Sequence, residues 1–216
     1  MNDTITTIDP RATFAQAVST ARTVIDGVRA DQFDLPTPCP DIEVRSMLGH
    51  MLTVLRRVAA LGNGTDPMDM PNVVTGVDDA DWPSEFLSAA HDVQAAWTDT
   101  AKLEQPMSLP WATAPGAAML QMYTSELTVH TWDLAVTTGQ TVSWHEPTVQ
   151  VSLQSALQAL PAGDREAYFA EMARDPKFSP DLAEHPPFRN PVVVDEQAPT
   201  IDRLIGWYGR QPSRAA

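Results

Sequence analysis

The stretch Val44-Arg45-Ser46-Met47-Leu48-Gly49-His50-Met51-Leu52-Thr53-Val54-Leu55 repeats apolar side chains at intervals of three and four residues. This spacing predicts an amphipathic helix rather than a strand. We expect the helix over residues 42–61, with Asp41 as its N-cap and Gly62-Asn63-Gly64 at its end. Its inward row carries one imidazole, His50, among the apolar side chains.

Helical spacing recurs along most of the chain. It predicts further helices over residues 10–29, 83–102, 117–138 and 147–160. The weaker segments are predicted as a small hairpin over 107–116, a short helix over 164–174, an extended stretch over 186–198 and a last helix over 199–209. Four long amphipathic helices with little strand signal indicate an all-α fold built as a helical bundle.

Length and charge limit the classes of protein that the chain can belong to. Its 216 residues suit one domain, which we divide into a bundle over 1–160 and a C-terminal extension over 161–216 that packs on the bundle without being an independent domain. A formal net charge of -14 repels phosphate backbones and anionic lipid, so neither nucleic acid nor a membrane surface is an expected partner.

The single cysteine and the N-terminal residues bear on the compartment. Cys39 has no second cysteine with which to form an internal disulfide, which suits a reducing cytoplasm. The first residues have neither the basic flank nor the apolar stretch of a signal peptide. No segment approaches the roughly 20 apolar residues that span a bilayer. A cytoplasmic protein is therefore expected.

Two predicted helices carry polar residues suited to a metal site. Glu126 and His130 are four residues apart, which places their side chains about 6 Å apart along one helix face. His50 joins them only if the tertiary fold brings its helix alongside. Two imidazoles and a carboxylate suit Zn, Ni or Fe(II) and leave coordination positions open. The same spacing also fits an ordinary surface pair, and His50 also fits a hydrogen-bonded core residue.

Longer runs resemble a known family. The run Thr37–His50 (TPCPDIEVRSMLGH) resembles the segment around the first metal-binding histidine of the mycothiol-dependent maleylpyruvate isomerase family, part of the DinB-like superfamily of four-helix metalloproteins. The run Glu126–Ala135 (ELTVHTWDLA) resembles the second metal-binding motif of that family, and Phe188–Gly209 is similar to the tail of actinobacterial members. The resemblance implies a DinB-like four-helix bundle with a short irregular or extended C-terminal extension, in which His50, Glu126 and His130 hold a divalent metal, most often zinc.

The resemblance also implies a type of chemistry. An open position on a dication would bind a small thiol, mycothiol, as thiolate, and the thiolate would attack or isomerise a small electrophilic substrate. A metal-hydroxide hydrolase and a non-catalytic metal-binding or ligand-binding bundle remain alternatives. Small bundles of this superfamily are often dimers, so a homodimer is one expected state of the chain.

Neighbouring residues receive separate interpretations. Asp133 is expected either to orient a ligand imidazole through its carboxylate or to form a salt bridge with Arg45. Cys39, just before a helix N-terminus, is expected to have a lowered pKa but a structural role. The other expectations are packing for Trp132, a core position for Met47, Met51, Met119 and Met122, and a surface position for His91, His145 and His185.

Overall fold

The computed structural model describes residues 8–184 and 186–212, and within them the chain is mainly α-helical. The long helices are α1 (Pro10–Asp26), α2 (Val44–Asn63), α3 (Trp82–Ala96), α4 (Gly116–Thr138) and α5 (Glu146–Ala159). Two short helices follow, α6 (Arg165–Met172) and α7 (Thr200–Trp207). The all-α prediction is confirmed.

Helices α1 to α4 form a four-helix bundle. Helix α4 packs against both α1 and α2, and α3 closes the ring by contacting α2 and α1. The core between them receives side chains from all four helices, and its fully buried members on α2 and α4 include Met47, Leu55, Leu127 and Leu134. Helix α5 lies against α4, and α7 lies against α5. Helix α4 is therefore the central helix, because it contacts α1 and α2 of the bundle as well as α5.

The hairpin predicted over 107–116 is present between α3 and α4. Strand β1 (Pro106–Leu109) pairs antiparallel with β2 (Ala112–Pro115), and Met107 faces Ala114 in the register. Helix α3 ends at Ala96, six residues before its predicted end, and a short 3-10 turn over Thr100–Leu103 follows it. Proline at both ends of the hairpin limits further strand pairing.

Signals for helix ends gave a mixed result. Asp9 caps α1, since its side chain accepts a hydrogen bond from the backbone of Arg11, and Gly64 and Gly139 end α2 and α4 in the left-handed conformation. The prediction that Asp41 caps α2 is wrong. Asp41 instead lies in a tight turn with φ of 60°, and α2 begins at Val44, two residues after its predicted start, with Glu43 at the N-cap position.

The C-terminal extension is anchored mainly through α7. Its side chains Leu204 and Ile205 are fully buried with Val149, Leu153 and Ala156 of α5. The stretch 186–198, predicted as extended, forms no strand. It is tied to α7 where the backbone of Val192 donates a hydrogen bond to the carbonyl of Gly206 at 2.8 Å. No helix in the described part of the chain is both long and apolar enough to cross a membrane.

Candidate metal centre

Helices α2 and α4 bring the three predicted ligands together. Glu126 and His130 lie one turn apart on α4, and His50 projects from the facing side of α2. Each of the three offers a ligand atom, and these atoms all lie within 4.8 Å of one another. The Nε2 atom of His50 is 3.2 Å from Oε1 of Glu126, and the two imidazole rings stand perpendicular with centroids 4.9 Å apart.

The three side chains are enclosed but not sealed. Their exposed fractions are 18% for His50, 30% for Glu126 and 12% for His130. A structural zinc site normally has four protein ligands, whereas a catalytic one keeps a position for water or substrate. Three convergent donors with access to solvent match the catalytic arrangement.

Each imidazole is held from behind through its Nδ1 atom. In His50, Nδ1 donates a hydrogen bond to the backbone carbonyl of Asn72 at 3.1 Å. In His130, Nδ1 donates to Oδ2 of Asp133, also at 3.1 Å. A proton fixed on Nδ1 leaves the lone pair of a neutral ring on Nε2. Both rings are therefore oriented as metal-binding histidines usually are, by a carbonyl in one case and a carboxylate in the other.

Electrostatics at the centre suit a cation. Burial alone lowers the pKa of His50, but the hydrogen bond and the charge of Glu126 outweigh it and leave that pKa raised. Burial raises the pKa of Glu126, and His50 then brings it below its usual value. Burial and the charge of His50 lower the pKa of His130. Since both nitrogens of His50 face oxygen acceptors, a proton or a cation has to lie between Nε2 and Glu126, and a dication fits this donor set.

Asp133 is fully buried and has a cationic partner that the sequence did not suggest. Arg210 donates to its Oδ1 and Oδ2, each at 2.7 Å. Burial raises the pKa of Asp133, but the hydrogen bonds from His130 and Arg210 bring it below its usual value. The expected pair with Arg45 is wrong, because Arg45 points away from the centre to Asp79 on the surface and lies over the ring of Phe33.

Cys39 lies beside this network without extending the metal site. Its thiol, His130 and Asp133 form a second group of potential ligand atoms within 4.8 Å. Arg210 occupies both oxygens of that carboxylate, and a guanidinium at this distance repels a cation. The expected lowering of the pKa of Cys39 is also wrong, because burial of the thiol raises it despite Arg210.

Comparison with known proteins supports the resemblance. A family model described as the mycothiol maleylpyruvate isomerase N-terminal domain matches residues 14–135, which is more than half of the chain. The chain belongs to this family. The match extends from α1 to the last turn of α4 and includes His50, Glu126 and His130, whereas Arg210 lies outside it.

Two individual relatives align with nearly the whole chain, but their names state no activity. Uncharacterized proteins from two strains of Mycobacterium tuberculosis, CDC 1551 / Oshkosh and ATCC 25618 / H37Rv, are each 24% identical over 203 residues. The alignment covers 94% of this chain and 98% of the relative in each case. No solved structure gives a significant match. The relatives therefore extend the similarity beyond the family domain into the C-terminal extension.

The other residues interpreted in the sequence analysis are not part of the group of three predicted ligands. Trp132 is buried in the apolar cluster between α4, α5 and α7, as packing requires. Of the four methionines predicted at core positions, Met47, Met51 and Met119 are buried and Met122 is partly buried against the core. His91 and His145 are exposed, and His185 lies outside the described residues.

Sequence reasoning missed the groups that support the ligands. Besides Asn72 and Arg210, these include Tyr208, whose hydroxyl is 2.8 Å from the hydroxyl of Ser125, the residue before Glu126. The Tyr208 ring is enclosed enough that burial raises its pKa to about 12. Asn72 and Arg210 lie outside the predicted helices, and Tyr208 lies at the end of the helix predicted over 199–209, so no spacing signal connected the three residues with the ligands.

Proposed function

We propose that the chain is a divalent-metal-dependent enzyme that activates a low-molecular-weight thiol, mycothiol, for transfer to a small electrophile or for its isomerisation. The observation that carries the proposal is the convergence of His50, Glu126 and His130 within 4.8 Å on a face that remains open to solvent. The family to which the chain belongs supports mycothiol as the thiol.

The donor set supports the metal part of the proposal. Two neutral imidazoles and one carboxylate suit zinc, with nickel and iron(II) as competitors. Zinc bound here would lower the pKa of a coordinated thiol, so that the thiol is present as the thiolate nucleophile at neutral pH. The chain contributes the orientation of its ligands, through the carbonyl of Asn72 and the carboxylate of Asp133.

Exposure supports a small-molecule substrate. Ligands that are 12–30% exposed admit a thiol and an electrophile from solvent, while apolar α2 and α4 side chains behind them keep water from the other side. We propose that the electrophile approaches the thiolate from the open face.

Metal content tests the first half of the proposal. We expect protein purified without a histidine tag to contain about one equivalent of zinc or nickel, and His130→Ala to contain far less. His145→Ala is the matched control, because His145 is exposed and away from the centre. Equal metal content in His130→Ala and wild type would refute the assignment.

Turnover tests the second half. Mycothiol and a generic electrophile such as an activated aryl halide are incubated with metal-loaded and metal-free protein, and we expect a rate above background only for the loaded protein. Ester hydrolysis without thiol would indicate a metal-hydroxide hydrolase instead. Metal binding without either activity would indicate a non-catalytic binding protein and overturn the enzyme proposal.

A further inference from the structure

Asn72 joins two side chains of α2 from the connection between α2 and α3. Its backbone carbonyl accepts the hydrogen bond from Nδ1 of His50 at 3.1 Å. Its side-chain Oδ1 accepts a second hydrogen bond, from Nη2 of Arg57, at 2.7 Å. One residue, exposed at the surface of the fold, thus contacts a predicted metal ligand and a buried cation at the same time.

Arg57 is a buried arginine that needs hydrogen-bond acceptors for its guanidinium group. It follows His50 by seven residues, two helical turns, and therefore lies on the same face of α2. The residue is only 7% exposed. Within residues 8–184 and 186–212, Asn72 is the one acceptor for its guanidinium, and its Nε has no partner. A buried cation with so few acceptors makes each one energetically important.

The backbone near Asn72 is held close to α2 by a third contact. The amide of Val74 donates a hydrogen bond to the carbonyl of Gly49 at 3.2 Å. A Cβ atom at Gly49 would lie 2.2 Å from the Val74 carbonyl oxygen. Only glycine at this position permits the approach, so the segment 72–74 is seated on the helix turn that carries His50.

We infer that Asn72 is a positioning residue for His50. Arg57 holds the side-chain carboxamide of Asn72. The backbone carbonyl of Asn72 then binds the proton on Nδ1 of His50, and this hydrogen bond turns Nε2 toward Glu126. The inference rests on the proposed metal function for its purpose. Groups that orient a ligand imidazole typically change metal affinity by about 10–100-fold when they are lost.

The test uses variants at Asn72 that leave α2 intact. Asn72→Ala removes the side-chain acceptor for Arg57. The backbone carbonyl remains, but the hydrogen bond to Arg57 no longer holds it in position. Asn72→Asp retains an acceptor oxygen for Arg57. Arg56→Gln is the matched control, because Arg56 is the adjacent arginine but is 42% exposed and pairs with Glu85 on the surface.

Zinc affinity is measured by competition with a chromophoric chelator. We expect Asn72→Ala to bind zinc about 10–100-fold more weakly than wild type. Asn72→Asp should retain the affinity of wild type or exceed it, and Arg56→Gln should leave it unchanged. Gly49→Ala displaces the same segment by another route and should weaken zinc binding as well. Removal of a stabilising contact without a positioning role would lower the melting temperature but not the affinity.

The second readout needs no metal. Below the pKa of His50, where both ring nitrogens carry protons, NMR of the metal-free protein reports how fast the Nδ1–H proton exchanges with water, with His130 as internal reference. We expect slow exchange in wild type, because the carbonyl of Asn72 accepts the hydrogen bond from Nδ1, and faster exchange in Asn72→Ala. Wild-type affinity and an unchanged exchange rate in that variant would overturn the inference. Absence of zinc binding in the wild-type protein would instead overturn the proposed function, while the exchange comparison still decides the role of Asn72.

Discussion

Asp133 lies directly behind His130, with its Oδ2 atom 3.1 Å from Nδ1 of the imidazole. The same carboxylate accepts two hydrogen bonds from Arg210, which follows α7. A predicted metal ligand on the central helix is thereby connected through one buried carboxylate to the C-terminal extension. The extension contributes to the centre although it supplies none of the three predicted ligands.

Asp133→Asn is expected to weaken both metal binding and folding. An amide leaves Arg210 buried without its counter-charge, which should lower the free energy of unfolding by about 3–5 kcal/mol. It also no longer fixes the proton of His130 as a carboxylate does, so zinc affinity should fall about 10–100-fold. Urea unfolding and zinc competition measure the two effects.

Asp79→Asn is the control for that variant. Asp79 also pairs with an arginine, Arg45, but the two side chains are 47% and 39% exposed. Loss of an exposed pair should change the unfolding free energy by no more than about 1 kcal/mol, with zinc binding unaffected. Equal effects of the two substitutions would contradict the role assigned to Asp133.

Tyr208 is expected to make the fold sensitive to alkali. An unfolded tyrosine ionises near pH 10, whereas burial raises the pKa of folded Tyr208 to about 12. Its contribution to stability is therefore fully present below about pH 10 and declines as the pH rises toward 12, because only the unfolded chain ionises there. In Tyr208→Phe the unfolding free energy should fall less steeply over this range.

Tyr208→Phe should also change the unfolding free energy at neutral pH, and Tyr168→Phe serves as its control. At pH 7 Tyr208→Phe loses the hydrogen bond with Ser125, which should cost about 1 kcal/mol. Tyr168→Phe removes a hydroxyl from a residue that is 46% exposed and should preserve the alkaline slope of wild type. Urea midpoints measured from neutral to alkaline pH give both quantities. An identical slope for Tyr208→Phe and wild type would contradict the prediction.

Periodicity made the central elements of the site predictable. The apolar rows of α2 and α4 determine which side of each helix faces the core, and a four-residue spacing places Glu126 and His130 together by helix geometry alone. The position of His50 beside them depends on the packing of α2 on α4. The family resemblance indicated this packing, but no local spacing did.

Single residues in irregular segments were not predictable in the same way. Asn72 acts through a backbone carbonyl, which every residue type has, and Arg210 reaches Asp133 across 77 positions of sequence. The incorrect capping prediction has a similar cause. The side chain of Thr37 receives a hydrogen bond from the Cys39 amide and donates one to the Ile42 carbonyl, and this turn delays the start of α2. Such contacts depend on the tertiary path of the chain.

Gly206→Ala is expected to destabilise the C-terminal extension and, with it, the candidate metal centre. A Cβ atom at Gly206 in α7 would lie 2.3 Å from Cγ2 of Val194 and 3.0 Å from the Val192 carbonyl oxygen. Since a valine side chain is too short to move aside alone, the segment 192–194 has to shift. Overpacking of this kind should lower the unfolding free energy by about 1–3 kcal/mol.

Zinc affinity shows whether the effect of Gly206→Ala stays within the C-terminal extension or also reaches the ligands. Tyr208 and Arg210 follow Gly206 by two and four residues, so a displaced helix end should weaken the Arg210–Asp133 pair and reduce zinc affinity. Gly163→Ala is the matched control, because a Cβ atom there has no other group within 4 Å and is in open space. Reduced stability with unchanged zinc affinity in Gly206→Ala would contradict the predicted coupling between α7 and the ligands.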